Sequence, residues 1–174
     1  YVIAKLPRFP FDKFTSATNV LGTQMKATGE VMGIGSTLEE CLLKGVRSLE
    51  IGVHHLYHSK FDNMTTDELR SYIGEFRDDN LFAIAELFYR GATVEEIHNI
   101  TKITPFFLES IKRIVDMEEL LKKNVFDLET LKAAKKMGVP CRIAHSHNSR
   151  PDLPRLVRLI KMWTSRDIES SATH

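Results

Sequence analysis

The stretch that decides the fold runs from Leu21 to Gly35 and reads LGTQMKATGEVMGIG. Its second half, Glu30–Ile34, is a short and mostly apolar run between Gly29 and Gly35. Such a run, bounded by glycines, is typical of a buried strand that ends in a tight turn.

A helix is predicted to begin directly after the strand. Ser36 with Glu39, and Thr37 with Glu40, both have the spacing of a capping box. An apolar stripe then recurs at helical spacing, which predicts one buried helix face ending near Gly52. Its members are Leu38, Cys41, Leu42, Gly45, Val46 and Leu49. Strand, turn and helix together form a strand–turn–helix corner.

The composition is that of an ordinary globular protein, with 43% hydrophobic and 27% charged residues. No apolar run approaches the ~20 residues of a membrane-spanning helix, so no membrane partner is expected. Cys41 and Cys141 lie far apart, and unpaired thiols favour a reducing compartment, so we predict a cytoplasmic location. The chain opens with Tyr1–Lys5, a strand-like segment closed by Pro7, and has no initiating Met, which indicates a fragment.

The charge distribution argues against a nucleic-acid partner. The net charge is +1. Residues 1–64 carry seven Lys/Arg against six Asp/Glu, residues 65–138 eleven against fourteen, and residues 139–174 six against three. The three parts therefore have net charges of +1, −3 and +3. None forms the dense basic face that phosphate neutralisation requires.

From Thr65 onward the pattern predicts helices and no strand. Residues 57–64 are predicted to be a linker, because their composition is the most linker-like in the chain. They separate a first unit at residues 1–56 from a helical unit at residues 65–163. That unit becomes irregular after residue 138, and residues 164–174 are predicted to be a disordered tail. Helix starts are predicted at Thr65, Asp78–Asn80, Thr93, Thr104–Pro105 and Asp127, with stops at Gly91 and Gly138. Val94, Ile97 and Ile100 are predicted to face inward. The longest predicted helix, from Thr104–Pro105, carries apolar residues at Phe107, Leu108, Ile111, Ile114, Val115 and Leu121.

Two patterns carry alternatives. His54, His55 and His58 have spacing that suggests a metal site, but no acidic or Cys partner is nearby, so exposed linker histidines are the default interpretation. Gly91–Leu121 resembles a helix-turn-helix, a motif that would bind DNA. Its surroundings are acidic, which would repel a duplex. The alternative is that these two helices are simply packed against each other at a corner. No catalytic, cofactor-binding or metal-binding residue is assigned.

The strings Tyr1–Phe9, Phe11–Phe14 and Leu21–Gly35 closely resemble the large subunit of carbamoyl phosphate synthetase. Lys44–Gly52 is similar to the end of the first of that family's two ATP-grasp halves, the carboxyphosphate-forming one. Further similarity continues at Ile84–Gly91, Phe106–Leu108 and Leu131–Gly138, which fit the family's helical oligomerisation domain. The resemblance therefore implies an α+β fold, with the C-terminal edge of an ATP-grasp domain followed by a small all-α domain.

The resemblance also implies the function. The parent would be an ATP-dependent ligase that makes carbamoyl phosphate from bicarbonate, ATP and ammonia for arginine and pyrimidine synthesis. Its partners would be a glutamine amidotransferase small subunit and other large-subunit copies. The family's ATP loop and its Mg²⁺/Mn²⁺ ligands lie upstream of the matching region, so this fragment is expected to bind neither and to be inactive alone. After Gly138 this sequence departs from the family's usual sequence. Either a divergent end or a shifted reading frame would produce this difference.

One family role maps onto this sequence, the wall of an internal tunnel. Met25 matches a lining methionine, and a flexible thioether suits a wall that excludes water without gripping a small intermediate. The equal alternative is that Met25 is an ordinary core residue. Lys26, Glu30 and Met32 join it as candidates for tunnel or domain packing.

Overall fold

The computed structural model describes residues 1–11, 18–123 and 127–140. Within them the chain forms a two-stranded antiparallel sheet and six α-helices, consistent with the predicted α+β class. The elements are β1 (Val2–Arg8), β2 (Gly29–Gly35), α1 (Leu38–Ser48), a 3₁₀-helix (Ser59–Phe61), α2 (Thr66–Ile73), α3 (Asn80–Tyr89), α4 (Val94–Thr101), α5 (Pro105–Lys123) and α6 (Leu128–Lys136). The predictions for residues 141–174 lie outside the described residues.

The two predicted strands pair with each other, which the sequence did not indicate. Ile3 lies opposite Ile34, and Ala4 lies opposite Gly33. Pro7 does not close the first strand as predicted, because β1 continues through it to Arg8. Proline is tolerated there because a strand of a two-stranded sheet is an edge strand, with one row of backbone groups unpaired.

Helix α1 lies directly against the backbone of β2. A Cβ atom placed on Gly33 would be 2.1 Å from the carbonyl oxygen of Cys41, so only glycine allows this approach. The Cys41 thiol is unpaired and buried, and its Sγ donates to the Gly33 carbonyl at 2.7 Å. The glycines of the opening stretch therefore serve close packing of strand and helix as well as the turn.

The predicted cap of α1 is present in a shifted form. Thr37 is the N-cap, and its side chain accepts from the Glu40 backbone N–H. The Glu40 carboxylate accepts from the backbone N–H and hydroxyl of Ser36, one residue before the N-cap. The helix ends at Ser48 and not near Gly52, since Glu50 has a left-handed backbone with φ of 52°.

The ends of the later helices follow the predicted chemistry. Full capping boxes open α2 at Thr65 and α4 at Thr93. At Gly91, where φ is +88°, the Ala92 N–H bonds the Leu87 carbonyl and closes α3. The same arrangement at Gly138, where φ is +86°, closes α6. Glycine is favoured at both positions because a side chain strains the left-handed conformation.

A single hydrophobic core runs through the described residues. Leu43 and Val46 of α1 belong to the same cluster as Leu108 and Ile114 of α5. The corner and the helices that follow are therefore packed together. One predicted inward position is wrong: Ile100 is exposed, since Ile97 takes the inward place on α4. On α5, Leu108 is buried and Phe107 is exposed.

Candidate association surface

The outer face of the two-stranded sheet exposes apolar side chains. Along each strand alternate side chains point to opposite faces. One face carries Ala4 and Leu6 and is covered by α1, whereas Ile3, Met32 and Ile34 lie on the other and are exposed. Met32 retains 63% of its exposure and Ile34 52%. Contiguous exposed apolar surface of this kind marks a contact site.

The four candidate packing residues divide between this face and the loop before it. Glu30 pairs with Lys5 at 2.6 Å on the outer face, beside Met32. Lys26 lies in the loop, where its Nζ donates to the carbonyl oxygen of Val20 at 2.7 Å. Met25 is 90% exposed in this chain. The tunnel role and the alternative of an ordinary core residue both stay predictions.

The junction between α1 and α5 contains a buried charge. The Glu39 side chain is 9% exposed and accepts a hydrogen bond from Arg113 Nε at 2.7 Å, and Arg113 Nη2 lies 2.7 Å from the same carboxylate oxygen as an ion pair. Burial raises the pKa of Glu39, but its backbone hydrogen bond and the Arg113 guanidinium outweigh burial, so the pKa lies below the ordinary 4.5. Arg113 also donates to Ser110. Sequence reasoning missed this pair because its partners are 74 positions apart.

Replacing Arg113 should reveal the stability that the Glu39–Arg113 pair contributes, through the pH dependence of the free energy of unfolding. A carboxylate with a lowered folded pKa stabilises the fold above its unfolded pKa, and the contribution is lost as pH falls through the folded pKa. We expect Arg113→Met to cost about 1 kcal/mol at pH 7, discounted because Arg113 is half exposed, and to cost less below pH ~4. Urea unfolding at several pH values measures the difference from wild type.

The matched control for this prediction is Lys112→Met. Lys112 is the neighbouring cation on α5 and pairs with Asp116 at an exposed i,i+4 position. Its removal should cost under ~0.5 kcal/mol at every pH. Equal and pH-independent costs for the two variants would contradict the buried junction.

The segment predicted as a linker contributes to the core. Within residues 57–64, Phe61 is fully buried and belongs to the 3₁₀-helix. Leu56, directly before the segment, is also fully buried. The Phe61 ring packs edge-on against Tyr72 at 5.6 Å. Arg90 donates to the Phe61 carbonyl at 2.9 Å. Both contacts pack segment 57–64 against the helices. The domain boundaries predicted at residues 56 and 65 stay a prediction.

The three histidines have separate roles. His54 is exposed, as the default interpretation expected, but His55 and His58 are half-buried. His58 Nδ1 accepts from the Lys60 backbone N–H and caps the 3₁₀-helix. His55 Nδ1 lies 3.5 Å from the buried Glu118 carboxylate. Among the described residues, no three His, Cys, Asp or Glu side chains are grouped so as to hold a metal ion.

A polar cluster near the start of α3 was also missed. Asp79 is the N-cap residue but makes no side-chain cap bond. Its carboxylate instead accepts from Tyr72 at 2.8 Å and from Lys60. Asp79, predicted as a cap, therefore connects Lys60 of segment 57–64 and Tyr72 of α2 to the start of α3.

The helix-turn-helix pattern is present as two packed helices. Helix α4 ends where Lys102 adopts a left-handed conformation with φ of 59°, and α5 begins at Pro105. The exposed side of α5 carries both signs, with Lys112 bonded to Asp116. A surface whose cations are neutralised in this way has little charge to offer phosphates. In the described part of the chain, no helix is long and apolar enough to cross a membrane.

The geometry defines a set of helices packed onto a two-stranded sheet whose outer face exposes Ile3, Met32 and Ile34 beside the Lys5–Glu30 ion pair. Residues 30–158 match a family model described as the carbamoyl-phosphate synthetase large chain, oligomerisation domain. The match covers most of the chain, which therefore belongs to this family. It begins inside β2 and includes α1, in agreement with the shared core. An oligomerisation domain implies association with other copies of the large chain.

Proposed function

We propose that this chain joins the end of the first ATP-grasp half of a carbamoyl phosphate synthetase large subunit to its oligomerisation domain. Its role is to pack these two parts and to bring large-subunit copies together. The observation that carries the proposal is the core shared by α1 and α5, with an apolar sheet face left outside. That face is the contact for the remaining ATP-grasp body.

The parent enzyme would make carbamoyl phosphate from bicarbonate, ATP and ammonia in the cytoplasm, for arginine and pyrimidine synthesis. Ammonia would come from a glutamine amidotransferase small subunit. ATP and Mg²⁺/Mn²⁺ would bind upstream of this segment, where the family's ATP loop and metal ligands lie. The chemical steps are therefore assigned to other parts of the parent, and this segment supplies packing, with Met25 on the tunnel wall.

A charge on the outer sheet face tests the proposal. Ile34→Lys should leave the isolated chain as stable as wild type, since Ile34 is half exposed there and surface changes rarely exceed ~0.5 kcal/mol. In a complete large subunit the same lysine would be buried without a partner, at a cost of several kcal/mol (~2–7 for an unpaired polar group, more for a charge). ATP-dependent carbamoyl phosphate synthesis and thermal unfolding measure the loss.

The control is Ile100→Lys, at an exposed position on α4 outside the sheet. It should leave both the isolated chain and the complete subunit close to wild type. A complete subunit carrying Ile34→Lys with wild-type activity and stability would refute the proposed contact. Carbamoyl phosphate synthesis by the isolated chain alone would refute the assignment of the chemistry to other parts.

The alternative function is a standalone helical interaction or DNA-binding module, which the observed α4–turn–α5 arrangement favours. Such a module would bind duplex DNA with an affinity that falls steeply as salt rises. The synthetase proposal expects no duplex binding at physiological ionic strength. Fluorescence anisotropy with a labelled duplex, between low and physiological salt, separates the two.

A further inference from the structure

A buried carboxylate on α5 lacks a full set of partners. The Glu118 side chain is 1% exposed, and its Oε2 atom accepts from the hydroxyl of Tyr89 on α3. Within the described residues, the other carboxylate oxygen, Oε1, is buried without a hydrogen-bond partner. An ionised carboxylate in such surroundings is costly unless a cation compensates its charge. A positive charge beside Glu118 would therefore stabilise the fold.

The groups around Tyr89 leave little positive charge for Glu118. Burial, and after it the Glu118 carboxylate, raises the pKa of Tyr89, so its hydroxyl stays protonated and donates. Four further charged groups lie around Tyr89 on the same two helices, namely Glu86, Arg90, Glu119 and Lys122. Arg90 pairs with Glu86 at 2.7 Å. Lys122 lies over the Tyr89 ring, 5.1 Å from its centroid. Both cations are thus engaged with other groups.

The basic side chain paired with this carboxylate, in the part of the chain that the structure describes, is that of His55. Its Nδ1 lies 3.5 Å from Glu118 Oε2. The same Nδ1 accepts from the backbone N–H of Tyr57 at 3.2 Å. An imidazole nitrogen accepts from an N–H only when it carries no proton, and it donates to a carboxylate only when it carries one. The two partners of Nδ1 therefore require opposite protonation states of the ring.

The other titratable groups beside His55 come from its own segment. Its ring stacks on that of Tyr57 with centroids 5.8 Å apart, and the Tyr57 hydroxyl donates to Asp62 at 2.7 Å. His54 and His58 line the same surface cavity as His55, with a volume of about 310 Å³. The side chain of His55 is 20% exposed, so protons reach its ring from solvent through this cavity.

We propose that His55 is a pH-sensitive switch that connects the segment after α1 to the helical core. With a neutral ring, Nδ1 accepts from the Tyr57 N–H, and Glu118 has no compensating charge. When Nδ1 takes up a proton from solvent, it loses the Tyr57 hydrogen bond and donates to Glu118 instead, forming an ion pair. Histidine is the side chain that changes charge between roughly pH 5 and 8, so the exchange of partners is expected in that range. The proposal concerns contacts within this chain and does not rest on the proposed function.

Urea unfolding of Glu118→Gln beside wild type tests the charge on Glu118. Glutamine keeps the size of the side chain and an oxygen that accepts from Tyr89, but it removes the negative charge. At about pH 8 the variant should unfold at a higher urea concentration than wild type, since an uncompensated buried charge is gone. At about pH 5.5 this advantage should be lost, because stability rises with falling pH wherever the folded state binds more protons than the unfolded state.

The variant His55→Gln identifies the group that takes up the proton. In this background Glu118→Gln should shift the urea midpoint equally at both pH values, because no imidazole remains to exchange partners. The matched control His54→Gln removes the exposed neighbouring imidazole, and it should leave the pH dependence of the Glu118→Gln effect as in wild type. A pH dependence that persists without His55 would place the proton on Glu118 itself and overturn the proposal.

Hydrogen exchange in the folded wild-type chain covers the case in which a variant fails to fold. The protection factor of the Tyr57 amide should fall several-fold from about pH 8 to about pH 5.5, since a protonated His55 no longer accepts from it. The Leu69 amide of α2, which donates to the Thr65 carbonyl at 3.0 Å, should stay equally protected. Equal protection of Tyr57 at both pH values, or an effect of Glu118→Gln that does not change with pH, would also overturn the proposal.

Discussion

Replacing Gly33 by alanine should lower the free energy of unfolding by about 3 kcal/mol, since overpacking costs 1–3 kcal/mol and more where backbone must move. The new Cβ would lie 2.1 Å from the Cys41 carbonyl oxygen and 3.0 Å from the Gly45 nitrogen, both backbone atoms of α1. The helix must therefore move away from the strand. Urea unfolding followed by circular dichroism measures the loss.

Gly29→Ala is the matched control, in the same strand. A Cβ atom at Gly29 meets nothing within 4 Å. Its stability should equal that of wild type or rise slightly, because alanine reduces the entropy of the unfolded chain. If both alanine variants unfold at the same urea concentration, α1 does not pack against the β2 backbone as described.

Phe61→Ala should cost about 3–5 kcal/mol, the range for truncating a buried aromatic side chain. Phe61 is fully buried and in ring contact with both His58 and Tyr72. An ordinary flexible linker would lose almost nothing by the same change. The variant therefore tests whether segment 57–64 belongs to the core.

The control Phe76→Ala removes the same side chain at a position that is 72% exposed. It should cost under ~0.5 kcal/mol. Thermal or urea unfolding of the two variants side by side gives the comparison. A small and equal effect for both variants would mean that Phe61 is solvent-accessible and that segment 57–64 is an ordinary flexible linker.

Local signals in the sequence predicted most of the secondary structure. The capping boxes at Thr65 and Thr93 and the stops at Gly91 and Gly138 act within a few residues, so their chemistry is complete in the string itself. The strand over Gly29–Gly35 was found by the same kind of local pattern.

Features that depend on distant partners were not predictable in this way. The pairing of β1 with β2 and the Glu39–Arg113 contact each join parts of the chain that no short pattern connects. The burial of Phe61 was not predictable because segment 57–64 is otherwise polar, and Phe61 is buried by helices from elsewhere in the chain. The family was recognised from its motif strings, which periodicity alone does not distinguish from any other strand–turn–helix corner.

Sedimentation equilibrium of the purified chain tests the central claim, that this is an association module, most directly. We expect an average mass above the 19.9 kDa of one chain, rising with concentration. A mass of one chain at all concentrations, from micromolar to the solubility limit, would contradict it.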